Sequence, residues 1–245
     1  LYRLSGSINP VLQARDIPNT LKRNQIKNTV KEIELIKISY SYGKKNLFTN
    51  ITFNIKYGRP VLLFGKSGAG KTTIANLVSG LYVPTDGILN YIDDKNKKYS
   101  SKTHLAKVGF VTQDVYLFQG TLKQNLTSGR NISEKLIWKA LKQVDAVKFV
   151  KKMGGLKAES AEAGRSMSGG QKRRLGIARV LLMGADVLIL DEITAGLDPV
   201  NKKNVIKIIT LLSKKFPILM ISHESFKINK MQIIKVWFKN EPKKK

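Results

Sequence analysis

The chain contains no cysteine. That absence excludes disulfides, thiolate metal centres and a cysteine nucleophile, and it suits a reducing compartment. Long apolar runs are missing too. No stretch of about 18 uninterrupted apolar residues exists to cross a bilayer as a helix, and no signal-peptide core follows Leu1. Acidic residues are scarce: 17 Asp and Glu stand against 44 Lys and Arg, a formal net charge of +27. Such a balance favours anionic partners such as nucleic acid, an acidic membrane face or nucleotides. The lysines come, however, in short scattered groups, at Lys44 and Lys45, Lys97 and Lys98, Lys151 and Lys152, Lys202 and Lys203, and Lys243 to Lys245. That is the distribution of a solvated surface.

What is present is enough for one compact unit. With 245 residues and 42% hydrophobic content, the chain can bury one sizeable core or two closely joined subdomains. It starts with Leu rather than Met, which reads as a piece or processed product of something longer.

Residues 1–32 are polar and irregular, with Pro10 and Pro18 breaking any helix, and read as a linker. Strand patterning begins at Ile33, continues through Leu35, Ile38 and Tyr40, and returns in the alternation Ile51, Phe53 and Ile55, which predicts an antiparallel pair. A short apolar strand, Pro60 to Phe64, precedes a glycine-rich loop, and Ile74, Leu77, Val78 and Leu81 follow at helical spacing. The middle third reads as mostly helix, over residues 133–150 and again from Gln171 to Leu182. The last third returns to α/β order, with strand Val187 to Leu190, a helix with Asp198 as N-cap and Pro199 at its first position, and strand Ile218 to Ser222. No internal repeat appears.

The glycine-rich loop runs Gly65, Lys66, Ser67, Gly68, Ala69, Gly70, Lys71, Thr72, and fits G-x-x-x-x-G-K-[ST], the phosphate loop, in its required place between strand and helix. Glycines let the backbone wrap closely, so that its N–H groups and the helix N-terminus, through Thr73, face a β-phosphate. Lys71 then reaches the β/γ oxygens, and the Thr72 hydroxyl binds Mg²⁺. A second acidic element, Asp191 and Glu192, ends the apolar strand that begins at Val187. Because successive strand residues point opposite ways, the pair separates into two roles: Asp191 organises the metal, and Glu192 orients and deprotonates the attacking water.

The run Met167, Ser168, Gly169, Gly170, Gln171 followed by Lys172, Arg173 and Arg174 resembles the signature motif of ATP-binding cassette (ABC) ATPases, and the resemblance spans Ile33 to about Phe238. It implies an α/β P-loop NTPase fold: a RecA-like core with a mainly parallel sheet, an antiparallel β subdomain, and an α-helical subdomain at about 114–178 that carries the signature. The ATPase domain would cover 33–240 and a basic tail 241–245. Tyr42 resembles the aromatic that stacks on adenine, and Gln113 the glutamine that touches Mg²⁺ and relays to a membrane partner. Asp198, in the run Thr194 to Asp198, resembles the loop that communicates across a cassette pair, and His223 the switch histidine on the γ-phosphate. His104 is expected on the surface. Ser168, Gly169 and Gly170 precede a helix, so hydroxyl and amides form an anion site at its positive end. In the family each such turn caps the nucleotide held by the other cassette of a head-to-tail pair. Departures from the common pattern are modest: Met167 for leucine, Thr72 for serine, and Ala195 opening a loop more often led by serine.

The implied cofactors are ATP and Mg²⁺, the implied partners a second cassette, identical or not, and a transmembrane domain, either fused upstream or separate. The chain would then lie peripherally on the cytoplasmic face of a membrane. Three functional classes share such a cassette. An exporter motor is suggested by Leu117 to Asn125, which resembles the exporter segment that meets the membrane domain. Glu159, Glu162 and Gly164 likewise resemble a short exporter loop, with Ala161 and Ala163 departing from it. A separate subunit of an importer or lipid-extruding complex keeps the same chemistry. A nucleic-acid maintenance ATPase fits the charge, but the interval from Lys71 to Ser168 leaves no room for a long coiled coil, and nucleic acid is not the expected partner.

Overall fold

The structure, a computed structural model, describes residues 23–43, 45–160, 166–224, 226, 228 and 230–236. Its centre is a five-stranded sheet in the order β11 (Gln232–Lys235), β4 (Val61–Phe64), β10 (Ile218–Ser222), β9 (Val187–Asp191), β8 (Val108–Val111). Every pairing in it is parallel. Parallel sheets need both faces covered, which is why β4, β9 and β10 are apolar runs rather than alternating ones.

The two faces build two cores. Val61, Leu63, Val187, Ile189, Leu219 and Ile221 project to one side, where they meet Ile74, Leu77 and Val78 of α1 (Lys71–Val78) and the buried residues of an antiparallel sheet. Their sequence neighbours Leu62, Leu188, Leu190, Ile218 and Met220 project to the other. There they meet Leu175 and Ile177 of α5 (Gly169–Leu182) and Val205, Ile208 and Ile209 of α6 (Pro199–Ser213). Each such side chain contributes about 1.5–3 kcal/mol by leaving water, and the period of two makes one strand serve both cores.

The antiparallel sheet has the order β3 (Lys45–Lys56), β2 (Val30–Tyr42), β5 (Asp86–Asp93), β6 (Lys98–Ser100). The β2–β3 pair is the antiparallel hairpin expected from Ile33–Tyr40 and Ile51–Ile55. It starts three residues earlier than the sequence pattern suggests, at Val30, which is fully buried. Asn24–Gln25 (β1) already pairs with His104–Leu105 (β7). The expected linker therefore contains ordered backbone from residue 23 on, and its first 22 residues lie outside the described ones. The helical arm comprises α2 (Leu122–Thr127), α3 (Glu134–Gln143), α4 (Val147–Lys152), a single 3₁₀ turn at Gly155–Lys157, and α5. α6 starts as expected, with the Asp198 carboxylate accepting from the Val200 and Asn201 amides and Pro199 at its first position.

Candidate functional site

In a parallel sheet the loops that leave the carboxyl ends of the strands share one edge, the usual place for a ligand. Here β4 leads into Gly65–Lys71, β9 into Glu192, and β10 into His223. They meet around an open cleft of roughly 340 Å³ lined by Tyr42, Leu47, Ser67, Gly68, Gly70, Lys71, Thr72, Thr73, Asp191, Glu192, Ile221 and His223.

The phosphate loop requires its glycines in two different ways. Gly68 and Gly70 sit at φ 77° and 92°, in the left-handed region that only glycine enters without strain. Gly65 has an ordinary backbone, but a β-carbon there would lie 2.4 Å from the Val236 carbonyl oxygen. α1 begins at Lys71 with no side-chain cap, so its first-turn amides have no acceptor within the helix. The Lys71 ammonium folds back and donates to the carbonyls of Gly65 and Lys66, both at 2.7 Å. Burial lowers its pKa, and the carboxylates of Glu192 and Asp191 oppose that shift.

Opposite the loop stand the two carboxylates. The pKa of Asp191 is raised, first by burial and then by the neighbouring Glu192 charge, with Lys71 and His223 pulling the other way. Strand alternation does not separate the pair, contrary to the sequence reading. Asp191 is the last residue of β9, and Glu192 leaves the strand at φ 49°, a left-handed conformation costly for a non-glycine residue. Its amide still bonds Ile221 O at 2.9 Å, and the turn brings both carboxylates to the same cleft. Ser222 Oγ donates to Glu192 Oε2 at 3.4 Å, His223 Nε2 stands 3.4 Å from Oε1, and Oε1 is buried without a hydrogen-bond donor among the described residues. Glu192 Oε1 thus has the His223 imidazole beside it but no hydrogen bond, and an acceptor so placed can take a proton from a water in the cleft.

Tyr42 also lines the cleft. It is half exposed, its hydroxyl is 3.2 Å from Thr73 Oγ1, and its ring meets Tyr40 edge-on at 5.0 Å. Leu47 on the neighbouring strand is a further lining residue. Nothing in the sequence singles out Leu47, because it reads there as one more apolar strand residue.

The donor set fits Mg²⁺ held largely by phosphate and water. Thr72 and Asp191 offer hard oxygen ligands at the cleft, while no cluster of three or more His, Cys, Asp or Glu residues suited to a metal exists among the described residues.

Gly65, Lys66 and Ala69 of the predicted loop do not line the cleft, and three further predicted groups are absent from it as well. Gln113 is exposed at the end of β8 and absent from the lining. Asp198 caps α6. The Ser168–Gln171 turn lies at the start of α5, where Gly169 and Gly170 are the first two helical residues rather than preceding the helix. Ser168 Oγ accepts from the Gln171 amide, and the Gln171 side chain accepts from the Ser168 amide, a capping box. The hydroxyl proton is left to donate elsewhere. Gly170 packs on Asn201 so closely that a β-carbon would fall 2.7 Å from Asn201 Oδ1. Glu162 and Gly164 lie outside the described residues. His104 is half-buried in β7, with its ring against Tyr99, rather than simply on the surface.

Residues 48–195 match the model of the ABC transporter family. The chain is 36% identical over 195 residues to the ABC transporter ATP-binding protein y4gM of Sinorhizobium fredii, a match covering 78% of this chain and 33% of that protein. It is 35% identical over 210 residues to the ATP-dependent lipid A-core flippase of Vibrio vulnificus, covering 84% of this chain and 36% of the flippase. Among solved structures it resembles a bacterial Atm1-family ABC exporter with ATP bound, at 26% identity and a TM-score of 0.66, over 85% of this chain and 36% of that one. The chain belongs to the ABC transporter family, as an ATP-binding domain of the kind that hydrolyses ATP. It spans about a third of the length of the curated relatives it matches.

Proposed function

We propose that this chain is the motor domain of an exporter. It binds ATP with Mg²⁺, pairs head to tail with a second cassette, and passes the resulting motion to a transmembrane domain. The observation that carries this reading is the division of the chemistry. The cleft gathers Lys71, Thr72, Asp191, Glu192 and His223, while the Ser168–Gln171 turn stands apart on the arm. A γ-phosphate held at the cleft is therefore contacted on one side only, and a second copy or a related cassette is the natural source of the other.

In this reading Tyr42 stacks on adenine, and the amides of Gly65 to Thr73 with Lys71 hold the phosphates. Thr72 and Asp191, together with Gln113 once the arm swings in, would hold Mg²⁺, which would supply charge neutralisation for the phosphates. Glu192 takes the proton of the attacking water, and His223 donates to the γ-phosphate. Asp198 belongs to the loop facing the partner cassette.

The exporter assignment draws on Tyr116 and Phe118, which lie just after Gln113 and are 74% and 67% exposed, an aromatic surface suited to a membrane-domain helix. It also draws on the exporters among the relatives. The residues preceding β1 would be the connection to that domain, and the site of action the cytoplasmic face of a membrane. No described helix is long and apolar enough to cross one.

The test is Glu192→Gln in the full-length protein. Turnover should fall by about 10²–10⁴-fold, the usual worth of a general base, while ATP binding persists and ATP drives the cassettes into a stable pair seen by size exclusion. Unchanged turnover would remove Glu192 from the mechanism, and failure to pair would remove the head-to-tail reading.

A further inference from the structure

α5 carries two adjacent buried arginines with opposite surroundings. Arg174 is anchored inside the helical arm: its Nη1 donates to Asp145 O at 2.8 Å and Oδ2 at 3.3 Å, and its guanidinium lies 5.0 Å from the Phe149 ring. Arg173 faces the other way. It is 6% exposed, its Nε donates to the Gln113 carbonyl at 3.3 Å, and its Nη2 donates to the Ala195 carbonyl at 2.6 Å. Its Nη1 is buried with no partner among the described residues, and Asp114 favours its charge from nearby without a bond between them.

Neither partner is a carboxylate. A buried cation held by two carbonyls, with hydrogens to spare, is an expensive way to fill space, and an apolar chain of similar volume would cost less. What the guanidinium supplies is geometry. Its planar fork joins two loops that no other described side-chain hydrogen bond connects. One loop carries Gln113 at the end of β8, and the other runs from Glu192 to Asp198 between the catalytic strand and α6. The arginine itself rides on the helix that begins at Ser168.

We propose that Arg173 is a positioning residue that locks the Gln113 loop and the Ala195 loop to the signature helix, so that a movement of the helical arm carries both loops with it. This rests on the proposed ATP-driven pairing, because only then does the arm have a movement to pass on. Arg173 touches no reacting atom. Its contribution is that Gln113 reaches the cleft, and the Ala195 loop reaches the partner, in the same stroke.

The experiment uses the full-length protein with Arg173→Met, Arg173→Lys, Gln113→Ala and the double variant Arg173→Met/Gln113→Ala. Arg173→Met should lower kcat by about tenfold, the order expected when a catalytic group is misplaced or uncoupled. ATP affinity should stay within about twofold, and the melting temperature should be unchanged or raised, because the unpaired charge is gone. Arg173→Lys, whose single ammonium cannot reproduce the fork, should fall between wild type and Arg173→Met. In the Gln113→Ala background Arg173→Met should have less than about a twofold further effect, because a positioning residue has little left to position.

Unaltered kcat in Arg173→Met would overturn the proposal. So would a fall in kcat that comes with a fall in melting temperature and adds in full to that of Gln113→Ala, since that is the behaviour of a merely structural residue. A wild-type protein that turns over no ATP would instead overturn the motor reading on which the proposal stands.

Discussion

Two helix N-termini in this molecule carry the same dipole and treat it differently. At α1 the chain provides no cap. Gly70 enters in a left-handed turn, Lys71 folds onto its own loop, and the leading amides face an open cleft. At α5 the end is closed by its own sequence, Ser168 and Gln171 exchanging bonds across the first turn. The uncapped end leaves its first amides without acceptors in the chain, whereas the capped end satisfies its own turn and has only a hydroxyl proton and two glycine amides to offer. In the proposed pairing, one would be a receptor and the other a lid for a neighbour's receptor. A third case sharpens the difference. α2 has the same capping box, made by Thr121 and Gln124, but its next amide, Leu122 N, is already consumed by Ala158 O at 2.9 Å. The same cap is therefore purely structural there.

The largest expected effect tests the open end. Lys71→Met should reduce turnover by about 10²–10³-fold, the order of losing one preorganised charge-stabilising donor, as read by phosphate release at saturating ATP. Ser168→Ala should lower turnover by about tenfold and, through the lost cap worth about 1 kcal/mol, lower the melting temperature by about 2–4 °C. Nucleotide affinity of the single chain should not move, because the turn does not line its cleft. If affinity falls with turnover, the two ends work within one chain and the distinction between receptor and lid disappears.

The carboxylate facing the open end gives a smaller effect of opposite sign. Folding raises the Asp191 pKa, so the nucleotide-free fold binds that proton more tightly than the unfolded chain does. Stability is then full below the ordinary Asp value and declines as pH rises through the raised one. Asp191→Asn should raise the melting temperature of the nucleotide-free protein by about 2–4 °C at neutral pH, with the gain vanishing in acid and turnover lost. A lower melting temperature at neutral pH would mean the carboxylate stabilises the fold. Smallest of all, Thr121→Ala should cost about 1 kcal/mol of stability with ATP affinity untouched, which separates the cap from the lid.

Much of this arrangement is legible in the residue order because its parts are local. The phosphate loop, the two cores' central strands and the Asp198–Pro199 helix start all follow from spacing and caps within a few residues. What is not legible is set by distant neighbours. β11 has an alternating, half-exposed pattern that defines no core face, and it becomes a strand only because β4 offers it a parallel edge. β5 begins exposed and ends buried, so it has no clean period. The turn that puts Glu192 beside Asp191 depends on a left-handed backbone that glutamate does not advertise. Arg173 and Arg174 read as a basic run and are in fact both buried, one serving the arm and the other the loops.

The contact between Gly65 and Val236 has a practical consequence for dissecting the protein. The Val236 amide bonds Phe64 O at 2.8 Å, and its carbonyl fills the place where a β-carbon of Gly65 would be. The nucleotide end of the molecule is thus buttressed by residues some 170 positions downstream. A recombinant fragment cut after His223 would retain every motif residue and still lose the wall behind its phosphate loop, so a working fragment is expected to need the chain through Val236, well after the last recognisable motif.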